Sequence, residues 1–131
     1  MAQEIIKKIA EENFKRWNEA LKIRDSHKVA ELYSNRNTFL PTLSGDFKKG
    51  QDGTVEYFKH FLQKNPTGEI IESEVQISED GKTLVHSGMY NFETGEKNER
   101  EIIKARFTFV WQKNENNEWK IIHHHSSLKP K

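Results

Sequence analysis

Apolar residues recur every three or four positions from residue 3 to about residue 24: Ile6, Ile9, Ala10, Phe14, Trp17 and Leu21. Glu4, Lys7, Lys8, Glu11, Glu12 and Lys15 fill the positions between them. That is the period of a helix with one buried stripe. Asp25 or Ser26 can cap a second, shorter helix with Val29, Leu32 and Tyr33 turned inward, and Asn35-Arg36-Asn37 breaks it. Thr38-Phe39-Leu40 reads as a short strand stopped by Pro41. Gly45 and Gly50 bracket an exposed loop. Gln51 to Lys64 has helical spacing again, with Val55, Phe58, Phe61 and Leu62 on one side, and Asn65-Pro66 ends it.

The period then changes to two. Glu69 to Ile77 alternates, with Ile71, Val75 and Ile77 expected on one face. Glu79-Asp80-Gly81 signals a hairpin turn into Lys82–Phe92, and Thr94-Gly95-Glu96 turns that strand. Glu101–Lys113 and Glu118–Ser127 complete a meander of strands. No composition break divides the chain, so residues 1–131 are expected to form a single domain. Helices followed by a curved antiparallel sheet make an α+β fold in which N-terminal helices cover one face. Such a sheet wraps into a cone, and its open end is a usual place for a ligand.

Composition narrows the chemistry. Charged residues are 31% of the chain and nearly balanced, with a formal net charge of +1, so a nucleic-acid partner is not expected. Cysteine is absent, which excludes disulfides, thiol catalysis and cysteine-held zinc. The start of the chain lacks a basic segment followed by an apolar run, and no apolar run reaches the ~18 residues of a membrane span. A cytoplasmic location without membrane contact is the expectation.

The most specific stretch is the end. Arg106-Phe107-Thr108-Phe109-Val110-Trp111 and Trp119 to Ser127 form two strand-like runs, the second carrying His123, His124 and His125. Together with Gln3-Glu4-Ile5-Ile6, Trp17-Asn18-Glu19-Ala20-Leu21, Val29-Ala30-Glu31-Leu32-Tyr33, Phe39-Leu40-Pro41-Thr42, Tyr57-Phe58 and Phe61-Leu62, they resemble the nuclear transport factor 2-like superfamily. Within it, the chain looks most like the association (hub) domain of calcium/calmodulin-dependent protein kinase II and its stand-alone bacterial relatives. The resemblance spans nearly the whole chain and implies a cystatin-like cone. No glycine-rich loop, catalytic lysine or Asp-Phe-Gly motif of a kinase is present. The arginines that hold carboxylates in the hub's cone align with His86, Phe109 and Ser126, so that cluster is not preserved. The superfamily also holds SnoaL-like cyclases and ketosteroid isomerases, which use an aspartate or histidine in the cone as a base. Asp46, Asp52 and Asp80 fall outside the cone strands, which leaves only histidines for that role.

Strand alternation sorts the candidate residues. Lys120, Ile122, His124 and Ser126 share one parity, and Trp119, Ile121, His123 and His125 the other. His86, Gly88 and Tyr90 share a face of their strand, with Gly88 leaving room beside them. The expected pocket is therefore His86, Tyr90, His124 and Ser126, closed by Tyr57, Trp17 and Tyr33. The expected interface is Arg106, Thr108, Val110, His123 and His125 on the outer face, where relatives pair with a second copy. His123 and His125 lack a third ligand at metal spacing, and His27 and His60 have no carboxylate pattern, so no metal and no cofactor are expected. Two functions follow as expectations: an association module that forms a homodimer or larger ring and holds a small polar or anionic molecule in its cone, or a SnoaL-like enzyme with His124 or His86 as its acid–base group.

Overall fold

The computed structural model describes residues 2–131. Helix α1, Gln3–Ile23, lies along the molecule and buries Ile6, Ala10, Phe14, Trp17 and Leu21, the stripe its periodicity predicts. Arg24 ends it in a left-handed conformation. Helix α2, Ser26–Ala30, is capped by the Asp25 side chain, which accepts the His27 N–H at 2.9 Å. It is shorter than its pattern suggests. Tyr33 opens strand β1, Tyr33–Leu40, instead of closing the helix. The β-branched and aromatic content that begins at Tyr33 fits a strand, and the Asn35-Arg36-Asn37 break is a bulge within it. A two-residue strand β2, Lys48–Lys49, leads into α3, Gly50–Phe61, with one further turn over Leu62–Lys64.

The sheet has six strands in the order β2-β1-β6-β5-β4-β3. Strands β3 (Thr67–Ile77), β4 (Thr83–Thr94), β5 (Glu101–Lys113) and β6 (Trp119–Leu128) form the antiparallel meander. Strand β1 joins β6 in parallel and carries β2 on its other edge. Leu84, Tyr90 and Phe92 of β4 meet Phe107, Phe109 and Trp111 of β5 on the inner face, under α1 and α3. Trp17 sits at the centre of this aromatic core, 5.2 Å from Phe109 and 6.4 Å from Phe58 by ring centroids.

Two bulges decide which side chains enter the core. In β3 the register jumps between Ile70 and Glu72. Ile71 is the inserted residue and is 55% exposed, so it does not share a face with the half-buried Val75 and Ile77 as simple alternation predicts. In β6 the register jumps between His123 and Ile121, opposite Val110 and Trp111. The buried Ile121 therefore lies on the same side as His124 and Ser126, not with His123 and His125.

Gly88 explains how the first bulge is tolerated. A Cβ there would lie 2.0 Å from the Glu72 carbonyl oxygen and 2.7 Å from the Ser73 Cα. The bulged β3 backbone rides directly over Gly88, which lets the sheet curl into a cone. The space expected beside Gly88 is filled by main chain.

Candidate functional site

Trp17, Tyr33, Tyr90, His124 and Ser126 meet where α1, β1, β4 and β6 converge, and they form one hydrogen-bonded chain. The Trp17 indole N–H donates to the Tyr33 hydroxyl at 3.1 Å. The Tyr33 hydroxyl lies 2.8 Å from His124 Nδ1. The Tyr90 hydroxyl gives its proton to Ser126, so His124 can meet Tyr90 only as a donor from Nε2, which leaves Nδ1 to accept the Tyr33 proton. His124 therefore carries its proton on Nε2 and donates to the Tyr90 hydroxyl at 3.3 Å. Tyr90 donates to Ser126 Oγ at 2.5 Å, and Ser126 meets the Thr42 hydroxyl. Tyr57 ties the same loop down by donating to the Thr42 carbonyl at 2.8 Å.

This chain of donors runs one way and ends neutral. His124 is fully enclosed, stacked on Phe109 at 4.0 Å and Phe39 at 4.8 Å. Burial holds its imidazole well below the usual histidine range, and His123 and His125 nearby push it the same way. Burial raises the Tyr33 and Tyr90 hydroxyls well above theirs, and that of Tyr57 likewise. No cation stands among these groups to offset a carboxylate.

Little space is left. A cavity of about 10 Å³ lies between Trp17, Phe39, Phe58, Tyr90, His124 and Ser126. That is room for about one water molecule. The loop from Pro41 to Phe47 closes the mouth, with Thr42 inserted against Ser126 and Leu43 left outside in a left-handed conformation at φ 66°.

His86 does not join this group. Its neighbour across the ladder is Phe109, and His124 lies on the strand beyond. Its Nε2 is 3.0 Å from Ser73 Oγ, and its ring stands edge-on to Phe107 at 5.2 Å. Burial lowers its pKa to about 4, and its Nδ1 has no partner. Two imidazoles therefore do not converge in the cone. Sequence reasoning missed Thr42, because a loop residue carries no periodic signal. It also missed Asn18, whose side chain exchanges two hydrogen bonds with the Gly68 backbone at 2.8 and 2.9 Å and fastens α1 to β3.

The outer face reads in rows across the ladders. One row is Val85, Val110, His123 and Thr38; the next is Ser87, Thr108, His125 and Leu40; the third is Met89, Arg106 and Ser127. His123 is fixed by Thr38, whose hydroxyl lies 2.7 Å from Nδ1. From β4 to β1 these rows hold no carboxylate; on β3 the second and third rows continue into Glu74 and Glu72, and Glu93 lies further along β4 with the same parity. Among the described residues, no three histidine, aspartate or glutamate side chains come together as a metal site. No described helix is long and apolar enough to cross a membrane.

Comparison with known proteins gives a consistent answer. Residues 2–130 match the family model for the calcium/calmodulin-dependent protein kinase II association domain. A Xanthomonas campestris protein assigned to that domain superposes with a TM-score of 0.85 at 38% identity, over 90% of this chain and 84% of its own. A nuclear transport factor 2-like superfamily protein from Salmonella enterica superposes with a TM-score of 0.81 at 18% identity, over 99% of this chain and 95% of its own. A Novosphingobium aromaticivorans protein of the same superfamily, with a cystatin-like fold, gives 0.75 at 9% identity over 94% and 81%. These last two share the fold. No curated protein sequence matches the chain.

Proposed function

This chain belongs to the calcium/calmodulin-dependent protein kinase II association domain family, and we propose that it is an association module that pairs with a second copy through the outer face of its sheet. One observation carries the reading. Between β4 and β1 the central rows of that face hold Val85, Met89, Val110 and Leu40 among hydroxyls, histidines and Arg106, with no carboxylate and with every helix packed on the other side. An isologous pair places such a face against itself without opposing like carboxylates. A stable pair of this kind buries more than about 1,000 Å² in total.

The cone takes a structural part in this reading. A small guest enters only if Thr42 leaves Ser126, because the void is about 10 Å³. Its neutral hydroxyls and neutral imidazole suit a molecule bearing a hydroxyl or carbonyl, not an anion. Acid–base catalysis is less well supported. Both ring nitrogens of His124 are engaged, and His86 is turned toward Ser73.

The test is the mass in solution. Light scattering is expected to give a dimer or larger at about 50 µM. Val110→Arg places an unpaired charge in the middle of the face and is expected to weaken assembly by about tenfold or more, while Glu115→Arg on the β5–β6 loop leaves it unchanged. A monomeric wild type, or an unchanged assembly in Val110→Arg, overturns the reading.

A further inference from the structure

Strand β1 parts from β6 for four residues. Tyr33 lies opposite Ile121 and Thr38 opposite His123, so residues 34–37 arch outward against the single residue Ile122. Polar side chains hold the arch in place. Gln51, at the start of α3, donates to the Ala30 and Tyr33 carbonyls at 3.0 and 2.8 Å. The buried Asn37 donates to the Ser34 carbonyl at 2.9 Å, and the buried Thr54 hydroxyl lies 3.2 Å from the Asn37 amide oxygen. Between the arch and the start of β6 opens a cavity of about 490 Å³, within the ~300–1,000 Å³ range of small-molecule sites. Gln112, one of its walls, pairs with Lys120 one row beyond the Trp111–Ile121 pair. Tyr33 is the one residue it shares with the hydrogen-bonded chain of the cone.

We propose that this cavity binds a neutral, hydroxyl-rich molecule, a sugar or a sugar alcohol. The free groups of its lining set the class. The Ser34 hydroxyl, the Asn35 amide, the Gln51 amide oxygen and the Gln112 amide have no hydrogen-bond partner among the described residues. They supply donors and acceptors side by side, and a hydroxyl group, which both gives and accepts a proton, satisfies either kind. An apolar guest would leave the amides without partners once water is displaced. The two charged residues of the lining, Lys120 and Glu31, carry opposite signs and are already engaged. Lys120 donates to the Glu31 carbonyl at 2.6 Å, and the Glu31 carboxylate meets Lys28 at 4.0 Å. The cavity therefore offers no net charge to an ion. Ile122, half-buried at the inserted position of β6, gives the site an apolar side chain against which the C–H face of a sugar ring can lie. The arch is fastened through Gln51 and Asn37 without a guest, so binding orders little of the chain.

Ligand-observed NMR titration of the full chain in glycerol-free buffer tests the site. The neutral probes are glucose, galactose, N-acetylglucosamine, maltose and the open-chain sorbitol, which separates ring sugars from sugar alcohols. Glucose 6-phosphate and a capped trialanine peptide serve as an anionic and a main-chain comparator. At least one neutral probe is expected to saturate with a dissociation constant of about 10 mM or tighter. Its affinity is expected to change less than about twofold between about 20 and about 500 mM salt, because no ion pair is screened. Asn35→Ala with Gln112→Ala is expected to weaken it about tenfold or more, while Gln76→Ala on β3 leaves it unchanged. Circular dichroism confirms that these exposed substitutions leave the fold intact. The titration is run on wild type and on Val110→Arg, so that a second copy on the outer face does not mask the cavity. Saturation by a neutral probe in neither protein overturns the proposal. So does binding of glucose 6-phosphate or the peptide alone, and so does an affinity that the paired alanine variant leaves untouched.

Discussion

Acid should destabilise this protein well above the range where carboxylates titrate, and His86 sets the scale. Its imidazole is buried against Phe107, and burial lowers its pKa to about 4. An unfolded histidine titrates near ~6.5, so between these values the unfolded chain binds the proton and the folded chain does not. Stability then rises with pH across that interval, is fully present above ~6.5, and is lost as pH falls toward the folded value. From pH 8 to pH 5 the loss from this one group is about 2 kcal/mol. The enclosed His124 shifts in the same direction and adds to the loss, and the half-buried His123 contributes in the same sense. Other shifted groups stay out of the window. Glu56 and Asp80 are lowered from the ordinary carboxylate range, and Tyr33, Tyr57 and Tyr90 are raised. Urea unfolding at pH 5, 6, 7 and 8 reads this directly. The His86 share lowers the midpoint by about 1 M at a typical slope for a domain of this size. His86→Leu keeps a similar volume, removes the orphaned Nδ1 and loses the bond to Ser73, so at pH 8 its stability should lie within about 1 kcal/mol of wild type. Its midpoint should fall about 1 M less than that of wild type between pH 8 and pH 5. Equal slopes in wild type and variant would refute the placement of a neutral, buried His86.

Gly88→Ala places a methyl carbon 2.0 Å from the Glu72 carbonyl oxygen, so β3 must move or unpair, and the expected cost is about 3 kcal/mol or more in chemical denaturation. Gly45→Ala, with nothing within 4 Å of the added carbon, should stay within about 0.5 kcal/mol, and equal effects at the two glycines would contradict the close approach. Tyr33→Phe strands the Trp17 indole N–H and His124 Nδ1 together; a loss of about 2–4 kcal/mol is expected, and a variant as stable as wild type would show that the chain of donors is not formed.

The inner cone and the outer face have opposite requirements, and the histidine run of β6 serves both. His124 contributes neutral hydrogen bonding inside an aromatic shell. His123 and His125, one residue to either side, lie on the face proposed to meet another copy.

Periodicity alone determined helices α1 and α3, the meander and the α+β class, because each rests on local spacing. The stripe from Ile6 to Leu21 and the alternation from Ala105 to Trp111 are legible in any context that offers a core. The final two strands also carried the family resemblance, and through it the cone. What alternation could not place was an inserted residue and the relation between the residues on either side of it. Ile71 reversed its face, and Ile121 fell on the side of His124, because one extra residue in a strand shifts the parity of all that follows. Gly88 marked the close approach, but whether a glycine leaves a space or admits another backbone depends on a strand distant in sequence. The union of Trp17, Tyr33, Tyr90, His124 and Ser126, the exclusion of His86, and the plug formed by Thr42 were decided by tertiary structure. These residues come from α1, β1, β4, β6 and a loop, and only the curl of the sheet brings their polar atoms within hydrogen-bond reach.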